Sequence, residues 1–233
     1  MRGSKALVML SGGLDSATCL YWAKEKFSDV SAITFNCYDR IQKEKESAAQ
    51  LAKRASISNF LEIDIPFIKE YSDLQIGNRQ KSDSRWPSYV PARNLIFYSI
   101  AAHYAEFLNI KWIVGGHNSD DGSFFKDATK NYIEKINSLF KHGCLLSNHD
   151  PCVIVTPLSK MDRKHIINLA IDLKVPLEVT WSCHTKARRH CGECYACKQR
   201  LDAFRSLGMK DPVFFRNSKK YHHRLHATHS TSR

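Results

Sequence analysis

Short apolar runs alternate along this chain with amphipathic stretches of ten to sixteen residues, and this alternation limits the folds open to it. "KALVML", the β-branched "VSAITFNC", "NFLEIDI", "IKWIVGG" and "CVIVTPL" read as strands. Between them, "SATCLYWAKEKF" places Leu20, Ala23 and Phe27 on one helical face. "KEKESAAQLAKRASI", "NLIFYSIAAHYAEFLN" and "ATKNYIEKINSLFK" also carry helical patterns, and "DRKHIINLAIDLK" opens on the cap candidate Asp162. Strands separated by helices of this length predict an α/β fold with a doubly wound parallel sheet. Ligands in such folds sit at the carboxyl ends of the strands. The polar stretch from Pro66 to Pro91 reads as an active-site loop or lid, and "HNSDDGSFFKD" as a second polar loop.

Strand and helix meet first at "MLSGGLDSAT", residues 9–18. Its glycines allow positive φ and remove side chains from the turn. Backbone N–H groups of the turn and of the first helical turn then face an anion. Ser11 and Ser16 add hydroxyls, while Asp15 suits either orientation of loop amides or a Mg²⁺ that bridges to phosphate. The run is neither a Walker loop nor a dinucleotide fingerprint.

Eight cysteines divide into two sets. Cys19, Cys37, Cys144 and Cys152 are scattered and read as small buried apolar residues. Cys183, Cys191, Cys194 and Cys197 form C-x7-C-x2-C-x2-C. Four thiolates at this density fit one tetrahedral Zn²⁺ with no open position, which makes the site structural. Gly192 allows the tight knuckle, and Arg188, Arg189 and Lys198 offset the thiolate charge.

The 233 residues suit one large domain with a small appendage, and no run of about 18 apolar residues suggests a membrane span. The opening "MRGSKALVMLSGG" does not read as a secretory signal, so a cytoplasmic protein is expected. Net charge is +12; residues 216–233 carry five Lys/Arg and no acid, and without them the balance is 30 against 23, or +7. A basic body suits nucleotides or nucleic acid without choosing between them. Three segments are expected: an ATP-binding α/β domain over 1–180, a zinc-binding segment over 181–208 packed on it, and a disordered basic tail over 216–233.

"SGGLDS" resembles the PP-loop of the ATP pyrophosphatases, whose sheet is of the adenine-nucleotide alpha hydrolase-like type. In that superfamily the loop holds the pyrophosphate of ATP while a substrate oxygen attacks the α-phosphorus. Paired with the C-terminal "CGECYACKQRLDAF", the loop is similar to that of the 7-cyano-7-deazaguanine synthases of queuosine and archaeosine biosynthesis. "ITFNCYDR", "YVPARN", "GGHNSDDGSFFKD" and "TPL" match further family segments in order, so the likeness spans about residues 5–207.

The resemblance implies ATP-dependent joining of ammonia to 7-carboxy-7-deazaguanine, first as the amide and then, after a second adenylation, as the nitrile. It implies that Leu10, Ser11, Gly12, Gly13, Leu14, Asp15 and Ser16 hold the phosphates and metal, with Asp15 and Arg93 as catalytic candidates. Substrate contacts fall on Tyr38, Arg93, Asp121, Ser123, Phe125 and Asp127; Tyr38, Trp86 or Phe125 would stack on the heterocycle. A homodimer is implied, the substrates are small molecules, and nucleic acid is not required.

Four positions depart from the family pattern. Ala92 stands for a glycine, Phe125 for a tyrosine and Asp39 for a glutamine, while "DRKH" at 162–165 replaces the usual Lys-Ala-Glu order. A variant that stops at the amide, one that transfers the acyl group to another amine, and a tRNA-modifying PP-loop enzyme are the alternatives. A zinc-knuckle nucleic-acid binder is a further one, but it has no use for "SGGLDS" after a strand.

Overall fold

The computed structural model describes residues 3–37, 40–68, 90–143, 151–186 and 188–213. Tyr38, Asp39, Trp86, Cys144, most of the expected lid and the basic tail lie outside them. Strands β1 (Lys5–Met9), β2 (Asp29–Cys37), β3 (Phe60–Ile65), β4 (Trp112–Val114) and β5 (Val153–Val155) form one parallel sheet in the order β3-β2-β1-β4-β5. The expected doubly wound sheet is therefore present.

Side-chain alternation along β1 explains the layers. Ala6, Val8 and Leu10 point into one apolar cluster and Leu7 and Met9 into the other. The first cluster is filled by helices α1 (Leu14–Lys26), α2 (Gln42–Arg54), α6 (Arg163–Asp172) and α7 (Tyr195–Ser206). The second is filled by α3 (Arg93–Phe107) and α5 (Lys130–Gly143). Leu20, Ala23 and Phe27 all enter the first cluster, as their spacing predicts. Truncating one such buried leucine to alanine costs about 2–5 kcal/mol. β3 alternates partly or fully buried Leu61, Ile63 and Ile65 with exposed Glu62 and Asp64, a pattern that suits an edge strand exposed on one side.

Helices on one face connect β1, β2 and β3, and the chain then crosses to the other side of β1 to build β4 and β5. The direction of travel reverses between β1 and β4. At such a switch point the strand ends diverge into a crevice, where ligands bind.

Two local differences from the sequence reading bear on that crevice. "HNSDDGSFFKD" contains a helix, α4 (Ser119–Phe124), followed by a 3₁₀ turn at Lys126–Ala128. A reciprocal capping box supplies the reason: the Asn118 side chain accepts from the Asp121 N–H at 2.9 Å, and Asp121 accepts from the Asn118 N–H at 3.2 Å. β4 and β5 are only three residues each, and just beyond β4 the Gly115 N–H still donates to the Val155 carbonyl at 3.0 Å.

Candidate functional site

The first wall is the turn between β1 and α1. Gly12 has φ of +101°, and a Cβ there would lie 2.5 Å from the Glu44 carbonyl oxygen and 2.9 Å from the Ala48 nitrogen. Glycine is thus required both by conformation and by the backbone of α2. The Gly12 N–H donates to Ser16 Oγ at 3.2 Å and the Gly13 N–H to Ser11 Oγ at 3.3 Å. The two hydroxyls lie 3.0 Å apart. No side chain caps α1, so its first-turn amides at Leu14, Asp15 and Ser16 are left for another acceptor. Glycine-turn amides, serine hydroxyls and a helix N-terminus at the end of a central strand form an anion cradle.

Residues scattered through the sequence brace this turn. Arg40 Nη2 donates to the Ser11 carbonyl at 2.7 Å, while Nη1 holds the Phe35 carbonyl and Asn36 Oδ1. The Gly12 carbonyl accepts from the Trp181 N–H at 2.9 Å and lies 2.7 Å from Ser47 Oγ.

The second wall is the turn after β4. Gly116 approaches α1 closely: a Cβ on it would meet the Ser16 nitrogen at 3.3 Å. Asn118 Nδ2 donates to Asp15 Oδ2 at 2.9 Å. Arg163 Nη1 donates to both Asp15 oxygens at 2.8 Å. Asp15 therefore faces a cation and an amide from the opposite side of the crevice and makes no bond to the loop amides. Burial raises its carboxyl above the usual range, with Asp121 adding to the rise and Arg163 and Asn118 opposing it. Burial also raises Asp121, against the Asn118 N–H, Arg163 and Arg93. His117 lies beside them, held down to about 4 by burial and by Arg93, against the pull of Asp127 and Asp15.

Arg93 opens α3, and its charge acts on Cys37, Glu44, His117 and Asp121. Among the described residues its guanidinium makes no ion pair. Ala92 just before it has φ of +54°, the left-handed region that glycine occupies without strain. The departure seen in the sequence thus falls on a conformation that disfavours it. Asp127 lies near His117 and Tyr98, and its carbonyl accepts from Asn94 Nδ2 at 3.2 Å. Phe125 is half-buried at the end of α4. Ser123 is exposed, and its hydroxyl returns to the Ser119 carbonyl at 3.1 Å.

The four clustered cysteines converge, with all Sγ atoms within 4.8 Å of one another. A tetrahedral Zn–S₄ site would set these separations near about 3.8 Å, so small rotamer adjustments suffice. Cys191 Sγ accepts from the N–H groups of Glu193 and Cys194 at 3.4 and 3.2 Å. Burial opposes its ionisation, yet these donors prevail and hold its thiol near about 7. Cys194 caps α7, so the positive helix end faces the thiols. Of the scattered cysteines, Cys19 and Cys152 are buried as expected, whereas Cys37 is only half-buried.

Arg200, 2% exposed, ties this segment to the body. It donates twice to Asp211, at 2.6 and 3.0 Å, and to Thr180 Oγ1, Ser182 Oγ and the Leu177 carbonyl. The residues it fixes run from 177 to 182 and include Trp181, the donor to Gly12. Trp181 also packs on His190, at 4.2 Å between ring centroids. The cysteine segment and the glycine turn are thus physically joined.

Sequence reasoning missed Arg40, Ser47, Asn118, Trp181, Arg200 and Asp211, and it noted Arg163 only as a departure. Asn118 was within reach, because Asn-x-x-Asp is a capping-box signature. The others gain their roles from contacts between distant segments.

A parallel sheet with an anion cradle at its switch point, faced by arginines and acids, defines a nucleotide-phosphate-binding α/β protein of the PP-loop kind. Residues 5–208 match the model of the family described as queuosine biosynthesis protein QueC, and the chain belongs to that family. It is 35% identical over 223 residues to a 7-cyano-7-deazaguanine synthase of Campylobacter jejuni, covering 91% of this chain and 99% of that protein. The corresponding synthase of Nostoc punctiforme is 36% identical with the same coverage. That of Thermoplasma volcanium is 35% identical, covering 90% of each. NMN synthetase from Francisella tularensis aligns loosely in structure, with a TM-score of 0.48, 16% identity, and 99% and 88% coverage. No helix among the described residues is long and apolar enough to cross a membrane.

Proposed function

We propose that this enzyme converts 7-carboxy-7-deazaguanine and ammonia to 7-cyano-7-deazaguanine by two successive adenylations. The observation that carries the reading is the glycine cradle facing Arg93, Asp121 and Arg163 across the β1/β4 crevice, in a chain of this family. A carboxylate oxygen attacks the α-phosphorus of ATP and pyrophosphate leaves. Ammonia then attacks the acyl carbon and AMP leaves, giving the amide. The amide oxygen takes a second adenylyl group, and loss of AMP and two protons in all leaves the nitrile.

Each residue supports a step. The amides of Gly12, Gly13, Leu14, Asp15 and Ser16, with the hydroxyls of Ser11 and Ser16, take the pyrophosphate oxygens as they develop charge. Leu10, 1% exposed, anchors the turn in the core. Arg163, paired with Asp15 here, is placed to turn to phosphate when ATP enters, and Asp15 would then hold the magnesium that accompanies ATP. Bound there, the ion would neutralise phosphate charge. Arg93 neutralises the substrate carboxylate. Asp121 and Asp127 accept from the guanine-like edge, and Phe125 stacks on the ring. Zinc on Cys183, Cys191, Cys194 and Cys197 supplies folding energy to residues 181–208, read as a segment packed on the ATP domain of 1–180. The enzyme is read as a cytoplasmic homodimer with no need of nucleic acid.

The test combines protein, ATP, Mg²⁺, ammonium and 7-carboxy-7-deazaguanine and reads the products by mass. Nitrile with two AMP per product is expected. An amide end point would favour the second reading, a variant that stops at the amide, which the missing hydroxyl at Phe125 supports. No turnover beside normal ATP binding would overturn both.

A further inference from the structure

Asn118, 1% exposed, joins two parts of the crevice that the sequence keeps far apart. Its Oδ1 accepts from the Asp121 N–H, and its own N–H donates to an Asp121 oxygen, which closes the cap of α4. The cap also settles which way the side-chain amide faces. With Oδ1 on the Asp121 N–H, Nδ2 points away from α4, and there it donates to Asp15 Oδ2 at 2.9 Å. A reversed amide would set oxygen against carboxylate and NH₂ against N–H. A helix cap needs only the acceptor, which serine or threonine supplies as well. The donor half of the amide is therefore not needed for the cap, and it serves a carboxylate 103 residues away. Asp15 thus has two partners of different kinds. Arg163 Nη1 spans both of its oxygens, whereas Asn118 holds Oδ2 alone. A guanidinium repels an incoming cation; a neutral amide does not, and it leaves the other oxygen open.

We propose that Asn118 is a positioning residue for Asp15: it keeps the carboxylate in place when Arg163 turns to phosphate, so that Asp15 is ready for the magnesium of ATP. The inference rests on the function proposed above, in which Asp15 takes that ion. Of the two partners, Asn118 is the one that need not leave. Its amide is locked by α4, so the Asp15 carboxylate stays oriented after the guanidinium has gone. The same contact links the phosphate turn to α4, which carries Asp121.

Asn118→Ser keeps an acceptor for the Asp121 N–H and removes the donor to Asp15. Asn118→Thr does the same while filling more of the buried space, and serves should the serine variant fail to fold. The test is calorimetric titration of the full chain with ATP, first with magnesium and then with magnesium chelated. Either variant is expected to weaken binding of magnesium-ATP about tenfold and binding of metal-free ATP by less than about twofold. In an Asp15→Ala background the same substitution should change neither affinity beyond about twofold, because its target is gone. Equal weakening of both forms of ATP overturns the proposal, as does an undiminished effect in Asp15→Ala. A lowered melting temperature beside unchanged affinity for magnesium-ATP assigns Asn118 to the cap of α4 alone and also overturns it. Failure of the unsubstituted protein to bind magnesium-ATP would instead sink the proposed function, and the positioning role with it.

Discussion

Two glycine pairs stand at the switch point, Gly12–Gly13 after β1 and Gly115–Gly116 after β4, and they are built for opposite chemistry. The first is braced by internal partners: Ser16 and Ser11 accept from the Gly12 and Gly13 amides, while Trp181 and Ser47 meet the Gly12 carbonyl. Those hydroxyls hold the turn from within, and the first amides of α1 beyond them have no side-chain cap. The second pair instead lets side chains approach. Tyr98 reaches Gly115, α1 approaches Gly116, and beyond them lie His117 and Asn118. One turn presents the uncapped amides of a helix N-terminus; the other is closed by side chains packed against its glycines. Asp15 connects them, because it sits on the first turn and is held from the second side by Asn118 and Arg163.

Breaking that connection should have the largest effect. Asp15→Ala should lower AMP formation by about a hundredfold or more while the circular dichroism spectrum is kept. Retained AMP release would mean that the two turns work independently. Next comes Cys194→Ser, which removes one of the four converging thiols and is expected to loosen the segment joined to Gly12 through Trp181. Zinc content should fall, the melting temperature should drop by about 5 °C or more, and the KM for ATP should rise. An unchanged melting temperature would refute a structural metal.

Gly12→Ala tests the first turn alone. Positive φ and the Glu44 carbonyl at 2.5 Å together predict a loss of roughly 2–4 kcal/mol in a denaturant titration. The second turn is tested by pH. His117 titrates at about 4 when folded and near 6.5 when unfolded, so between these values the unfolded chain binds the extra proton. Its contribution is whole above pH 6.5 and is lost as pH falls towards 4, by at most about 3 kcal/mol. His117→Gln should flatten that slope; an unchanged slope would place the acid sensitivity elsewhere. The smallest effect is expected for Ala92→Gly, which relieves the left-handed strain before Arg93 and should raise stability by about 0.5–1 kcal/mol.

The alternation of strands and helices, the phosphate turn and the four-cysteine cluster are legible in the chain because each is local. A glycine turn bounded by a strand and a helix carries its function in ten consecutive residues, and the cysteines lie close in sequence before they fold. The polar loop after β4 does not read as a helix, because the Asn118–Asp121 capping signal lies among several competing polar residues. The Ser123 hydroxyl returns to its own helix and Asp121 closes the cap, contacts that the loop's sequence does not announce.

Tertiary structure alone decided where the charges meet. Arg163 and Asp15 are 148 residues apart and become one ion pair because α6 and α1 pack side by side on one face of the sheet. Arg200 and Trp181 tie the cysteines to the phosphate turn by the same packing. Tyr98 reads as a core aromatic on an apolar helix; only the strand order places its hydroxyl beneath Gly115, at the floor of the crevice. Local patterns fix hydrogen bonds a few residues apart, whereas contacts across the sheet exist only once the order β3-β2-β1-β4-β5 has set which loops face each other.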